Sequence, residues 1–358
     1  MAALVDRALT HLSALVACDT QNPPRRTTDS GIVEYLRENL PGFRIKFEDL
    51  GDGCQNILAV RGNPRILFNF HVDTVPASES WSSDPFELVV EEGRAIGLGA
   101  CDIKGASACM LAAAEVTDGD LALLFSTDEE AGSSRCVRTF VESEEFERFE
   151  AVIVAEPTEA RAVVEHRGIA TCTGEFRGVA GHASKRRALT DSAVHRASRW
   201  AAAALSAAEE FENRTYRSLS GIRFNLGVFD GGIKPNIIAP DATVRFGCRP
   251  LPDQHGPDLL AELQALADAD HVEWTPGFYG PTLPAIGDAS KARQLAEELG
   301  LEIGEAVDFW TEASLFSEAG VPAIVFGPGD IAQAHTADEW VAVEQLEAVV
   351  NTYVEIIG

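Results

Sequence analysis

The sequence predicts an α/β domain interrupted by a smaller, compact insertion, and three observations predict it. Up to about residue 163, short apolar runs alternate with helical patterns, as in an α/β sheet. From 164 to 274 the order changes to β-α-β-β-α-β, the ferredoxin-like arrangement, at a length suited to a separate domain. From 275 to 358 the alternating pattern resumes.

In chain order, Arg65–Val72, Leu121–Thr127 and Ala151–Ala155 are short runs rich in Ile, Leu, Phe and Val and read as buried strands. The Ala-rich stretch Lys104–Val116 reads as a helix. In the insertion, Ile169–Arg177, Phe224–Phe229, Ala242–Cys248 and Val272–Phe278 read as strands. Asp191–Asn213 and Asp258–Ala269 read as its helices. Beyond it come a helix at Ala289–Leu299, a buried strand at Val321–Phe326 and a closing helix at Glu344–Ile357. The expected division is therefore a discontinuous domain of 1–163 and 275–358 around an inserted domain of 164–274.

Composition narrows the function. The 358 residues are 46% hydrophobic and 24% charged, which is ordinary for globular chains, and the formal net charge is −27. A surface that acidic repels phosphate backbones, and the only basic cluster is Lys185, Arg186 and Arg187, so nucleic acid is excluded as a partner. No apolar run reaches the roughly 18 residues needed to span a bilayer, so no membrane partner is expected. The seven cysteines are scattered without a C-x-x-C pair, and they read as reduced thiols of a cytoplasmic protein.

The chemistry-bearing residues lie where the strands end. His71-Val-Asp73 puts an imidazole and a carboxylate on the same side of a strand end, as for a metal ligand and the acid that orients it. Gly97-Leu-Gly-Ala-Cys-Asp102 starts like a dinucleotide loop, but Asp102 stands where the third glycine should fall and would repel a pyrophosphate. A cation ligand fits better. Asp128-Glu129-Glu130 follows a buried strand, and adjacent glutamates can divide metal binding from proton transfer. Glu156-Pro-Thr158 ends another strand, and His335-Thr-Ala-Asp-Glu339 follows Gly327-Pro-Gly-Asp330. Two histidines and several carboxylates at separate loops suit a two-metal site with mixed N and O ligands.

These motifs, in this order and along essentially the whole chain, resemble the metallo-aminoacylase and carboxypeptidase family M20. The resemblance implies a phosphorylase/hydrolase-like zinc-peptidase catalytic domain with an inserted lid and dimerisation domain. It implies two divalent metal ions, zinc or cobalt. One would be held by His71, Asp102 and Glu156, and the other by Asp102, Glu130 and His335, with Asp102 bridging. Glu129 would be the general base and acid, Asp73 the partner of His71, and the Asp102–Ile103 peptide cis. His182, in Gly181-His-Ala-Ser184, would serve the other subunit of a homodimer. Asn236 and Arg249 would hold the substrate's oxygens and carboxylate. The usual proline after that Ser is replaced here by Lys185-Arg186-Arg187.

Within the family, Gly97–Gly105 and Thr311-Glu-Ala313 are most similar to the acetylornithine deacetylase branch, which makes Thr311 a candidate substrate contact. The branch implies an N-acetyl amino acid of arginine biosynthesis as substrate, and the stretch Ala306–Phe316, followed by Gly327–His335, is most similar to the branch's acetylcitrulline deacetylases, which puts acetylcitrulline ahead of acetylornithine. The alternatives are succinyl-diaminopimelate, with Lys185–Arg187 meeting the succinyl carboxylate, and a dipeptide. A non-catalytic binding protein would have lost a ligand or the base, and none is lost.

Overall fold

The computed structural model describes residues 2–285 and 287–358. The chain divides into two compact units: Met1–Val164, Ile286–Gly304 and Thr311–Gly358 form the first, Glu165–Ala285 and Glu305–Trp310 the second.

The first unit is built on a six-stranded sheet ordered Arg44–Gly51, Cys54–Arg61, Leu121–Ser126, Ile66–His71, Ala151–Val154 and Ala323–Val325. The last four strands are mutually parallel, and the first two join them as an antiparallel hairpin on one edge. Strands buried on both faces carry no polar alternation, which is why Leu121–Ser126 and Ala151–Val154 are buried at every position. Their carboxyl ends lie in register: His71 faces Ser126, and Asn69 faces Val154. The residues just beyond those ends therefore share one rim of the sheet.

The helix Lys104–Val116 is buried through Ala114, packed between the helices Ala2–Val16 and Val343–Ile357. Its Gly, Ala and Ser residues permit that close approach. A Cβ on Gly105 would lie 2.4 Å from the Ala100 carbonyl oxygen, so only glycine lets the Asp102 loop fold back on the helix start. The Asp102–Ile103 peptide in that loop is cis.

In the second unit, an antiparallel sheet runs in the order Arg223–Gly231, Asp241–Arg249, Ile169–Arg177 and Val272–Gly280. With the helices Ala193–Phe211 and Gly256–Gln264 between strands, the chain order is β-α-β-β-α-β. Alternate residues of Asp241–Arg249 (Ala242, Val244, Phe246 and Cys248) are buried toward the helices. Trp200 anchors this core among Phe176, Phe246 and Trp274, and its indole N–H donates to the Leu263 carbonyl at 2.9 Å. All seven cysteines are buried, and none of the described helices is long and apolar enough to cross a membrane.

His166 and Arg167 enter the second unit fully buried. Arg167 is held by Asp308 and by the Gly221 and Ser220 carbonyls. Burial pushes the His166 imidazole down to about 4 from its ordinary 6.5, with Arg249 adding to the shift and the bond to the Arg167 carbonyl opposing it. As pH falls, the unfolded chain therefore takes up this proton first. The stability from burying a neutral His166 is complete above about pH 6.5 and is lost progressively toward pH 4, by up to about 3 kcal/mol. The melting temperature of metal-free protein should fall more steeply between pH 6.5 and 4.5 in the wild type than in His166→Gln. Parallel slopes would contradict this.

Candidate metal centre

One strand end and four loops deliver the site on the rim of the first unit's sheet. His71 closes the Ile66–His71 strand, Glu129 and Glu130 follow Leu121–Ser126, and Glu156 follows Ala151–Val154. Asp102 precedes the Lys104–Val116 helix, and His335 sits in the loop before the Trp340–Ala342 strand. The carboxyl ends of parallel strands are where open α/β sheets place ligand chemistry.

Asp102 is the centre of the arrangement. Its Oδ1 lies 3.0 Å from His71 Nε2, and its Oδ2 lies 3.3 Å from His335 Nε2. Glu156 Oε1 approaches His71 Nε2 at 4.0 Å, and Glu130 Oε1 lies 3.0 Å from His335 Nε2. Two triads result, His71–Asp102–Glu156 and Asp102–Glu130–His335, each with its donor atoms within 4.8 Å of one another. One aspartate gives one oxygen to each.

The electrostatics of these groups fit divalent cations. Burial, then repulsion from Glu130, pushes the Glu129 carboxyl well above the usual range; burial, then Asp102, does the same to Glu156. Glu130 is raised by burial against the hydrogen bond with His335. Burial also works to raise Asp102, but hydrogen bonds with His335 and His71 outweigh it and hold Asp102 below its ordinary value. His335 is pushed up to about 11, first by Asp102 and then by Glu130. A crowd of inward-facing carboxylates with only two imidazoles lacks positive charge, and the donor set of imidazole nitrogen and carboxylate oxygen suits zinc-like ions.

Further residues hold this geometry. Asp73 is fully buried; its Oδ2 accepts from the Asn22 side-chain amide at 2.9 Å and from the Glu130 N–H at 3.1 Å. Its carboxylate is 3.6 Å from His71 Nδ1, whereas its carbonyl oxygen is 3.1 Å away, so both face the ring. The sequence pattern assigns Glu339 no role. Its buried carboxylate accepts from the Gly99, Cys101 and Asp102 N–H groups at 3.1, 2.9 and 3.0 Å. Glu312 is buried beside Ser126, 3.2 Å from its hydroxyl, and burial followed by repulsion from Asp128 pushes it up to about 8. A third donor cluster, Cys54, Asp128 and Cys136, is also close-set. There Asp128 already accepts from the Ser133 hydroxyl and the Arg135 and Cys136 N–H groups.

Other sequence candidates are not members of these two triads. Thr311 is fully buried, its hydroxyl accepting from the Ala313 N–H at 3.2 Å at the start of a short helix. His182, Asn236 and Arg249 belong to the second unit. His182 is exposed, 2.8 Å from the Ser184 hydroxyl. Asn236 is exposed, and its carbonyl accepts from the Ala183 N–H. Arg249 is half-buried on the sheet face away from the helices. Arg187 is held by Asp191 and by the Val179 and Ala180 carbonyls.

The sequence profile of Peptidase family M20/M25/M40 matches residues 67–358. The chain is 49% identical to the N-acetyl-L-citrulline deacetylase of Xanthomonas campestris, over 100% of this chain and 99% of that one. It is 32% identical to an acetylornithine deacetylase of Myxococcus xanthus, over 94% and 92%. A succinyl-diaminopimelate desuccinylase of Rhodospirillum rubrum is 29% identical, over 96% of each. Among solved structures, aminopeptidase PepT of Bacillus cereus superposes with a TM-score of 0.76 at 19% identity, covering 99% of this chain and 98% of that one. A metallo-carboxypeptidase of Sulfolobus solfataricus gives 0.74 at 15%, covering 98% of each.

Replacing Glu339 by Gln presents an amide donor to backbone donors, and each unpaired buried N–H costs about 1–3 kcal/mol. Zinc affinity, titrated against a chromophoric chelator, should fall about 10–100-fold in Glu339→Gln, the range for lost outer support of a metal ligand. Wild-type affinity in a folded variant would show that the Asp102 loop needs no such tie.

Proposed function

Because the chain belongs to peptidase family M20/M25/M40, we propose that it is a two-metal amidohydrolase that removes the acetyl group from an N-acetyl-α-amino acid, acetylcitrulline before acetylornithine, giving acetate and the free amino acid. The observation that carries the chemistry is Asp102, which offers one carboxylate oxygen to each triad. The full-length 49% identity to a protein named for acetylcitrulline supports the substrate.

His71, Asp102 and Glu156 would hold one divalent cation, zinc or cobalt, and Asp102, Glu130 and His335 the other. Bound there, such ions supply Lewis acidity, making water a competent nucleophile near neutral pH and polarising the acyl carbonyl. Glu129 takes the proton of the attacking water on its carboxylate. It returns that proton to the α-nitrogen as the C–N bond breaks, because the amine cannot leave as an anion. Asp73 keeps His71 and the Glu130 main chain in place. Arg249 pairs the substrate's α-carboxylate, a bidentate contact suited to a planar guanidinium. The succinyl alternative is weakened by Arg187, whose guanidinium is already committed within its own loop.

The enzyme would act as a homodimer joined through the second unit. Arg223–Gly231 is an edge strand with Val228 and Phe229 about 40% exposed, a surface that invites pairing with a second copy. His182 would serve the partner's site.

Glu129→Gln should retain zinc binding while kcat falls about 10²–10⁴-fold, as for a lost general base. Loss of zinc instead would exchange its role with that of Glu130. The wild type should release acetate from acetylcitrulline with a kcat/KM at least about tenfold above that for acetylornithine, a difference of about 1.4 kcal/mol in transition-state binding. A tenfold preference for acetylornithine, or for succinyl-diaminopimelate, would overturn the substrate reading.

Mixing inactive His182→Ala and Glu129→Gln subunits should restore part of the activity, since one of the two mixed sites holds both intact residues. No recovery after verified subunit exchange would contradict the shared site.

A further inference from the structure

The sheet face of the second unit that the helices leave uncovered carries a cavity of about 520 Å³, and strand register dictates what lines it. Arg249 stands directly opposite Arg223 on the neighbouring strand. Two residues along the same face, Gly247 stands between Asn225 on one side and Thr171 on the other. Two further on comes Arg245, and all of these residues border the cavity. At about 3.4 Å per residue, the Arg249 and Arg245 backbones lie about 14 Å apart. Gly247 has no side chain to fill the interval, so a trough runs between two guanidinium groups.

This placement costs stability. Like charges directly opposite across an antiparallel pair are destabilising, and the chain, at net −27, has few cations to spare. Arg223 is partly compensated by Glu212 at 3.3 Å and Asp308 at 4.0 Å. Arg245 is exposed, and among the described residues its guanidinium has no hydrogen-bond or ion-pair partner. A guanidinium left free beside a trough is a donor awaiting an acceptor.

Taking the proposed function as premise, with the substrate α-carboxylate on Arg249, we infer that Arg245 and Asn225 determine side-chain specificity: the trough accepts an N-acyl amino acid whose tail ends in a neutral, acceptor-bearing group such as a ureido and rejects one ending in an ammonium. The Arg245 guanidinium donates to the ureido carbonyl, and the Asn225 amide oxygen accepts from a ureido N–H. An ammonium offers donors only and carries the same charge as Arg245, so it loses the hydrogen bond and meets repulsion. Discrimination built on a repulsive element needs no tighter grip on the favoured substrate.

The test compares kcat/KM for acetylcitrulline and acetylornithine, at low salt, in the wild type and in Arg245→Glu, Arg245→Gln and Arg245→Lys. Arg245→Glu should move the preference toward acetylornithine at least about tenfold, mainly through KM. Arg245→Gln should relax it by a smaller factor, and Arg245→Lys, which keeps the charge, should still reject acetylornithine. Melting temperatures identify any misfolded variant; if Arg245→Glu is one, the Gln and Lys pair carries the test. A preference unchanged within twofold in folded Glu or Gln variants, with the wild type active, overturns this inference alone. A wild type that hydrolyses neither substrate overturns the proposed function and this inference with it.

Discussion

The structure of the site depends on one carboxylate placed between two imidazoles. Asp102 is almost fully buried, with His71 on one oxygen and His335 on the other. Burial alone would push such a group toward protonation, and the hydrogen bonds from His335 and His71, ahead of their charge, hold it ionised. Every neighbouring element answers to that constraint. The loop before Lys104–Val116 must turn sharply, which Gly105 permits, and must hold its N–H groups away from water, which the Glu339 carboxylate permits. Because Glu339 follows His335 by four residues, one strap both positions the Asp102 loop and carries the second imidazole.

Parallel strands supply the rest. When several strands end in register, residues at each end and up to four positions past it meet without any long-range design of their side chains. His71, Glu129, Glu130 and Glu156 are such residues, and Asp73 ties two of the strand ends together by accepting from the Glu130 main chain. The cost is a cluster of carboxylates that repel one another in a low-dielectric rim. Divalent cations would remove that cost, so the charge imbalance and the proposed chemistry have the same origin.

Much of this was legible in the sequence because it follows from local pattern. Apolar runs that stop at His71, Asp128 and Glu156 mark strand ends, and the ends of Lys104–Val116 and Ile169–Arg177 fall where the composition puts them. What was not legible depends on partners distant in the chain. Glu339 reads as one more surface acid until its carboxylate is seen to accept N–H groups from a loop some 240 residues away. Glu312 lies at the start of a helix of only six residues, too short for a periodic signal. The hairpin Arg44–Gly51 and Cys54–Arg61 was also missed, although Arg44-Ile-Lys-Phe-Glu48 alternates charged and apolar residues and Asp52-Gly53 marks its turn; its second strand, buried from Cys54 to Val60, shows no such alternation. The arginine trough needed register as well, since nothing in the sequence sets Arg223 opposite Arg249.

The central claim is that Asp102 is shared by two metal ions, and anomalous diffraction from zinc- or cobalt-loaded crystals tests it most directly. The account predicts two anomalous peaks per chain, one bonded to His71, Asp102 and Glu156 and the other to Asp102, Glu130 and His335. A single peak, or a second peak lodged instead among Cys54, Asp128 and Cys136, would contradict it.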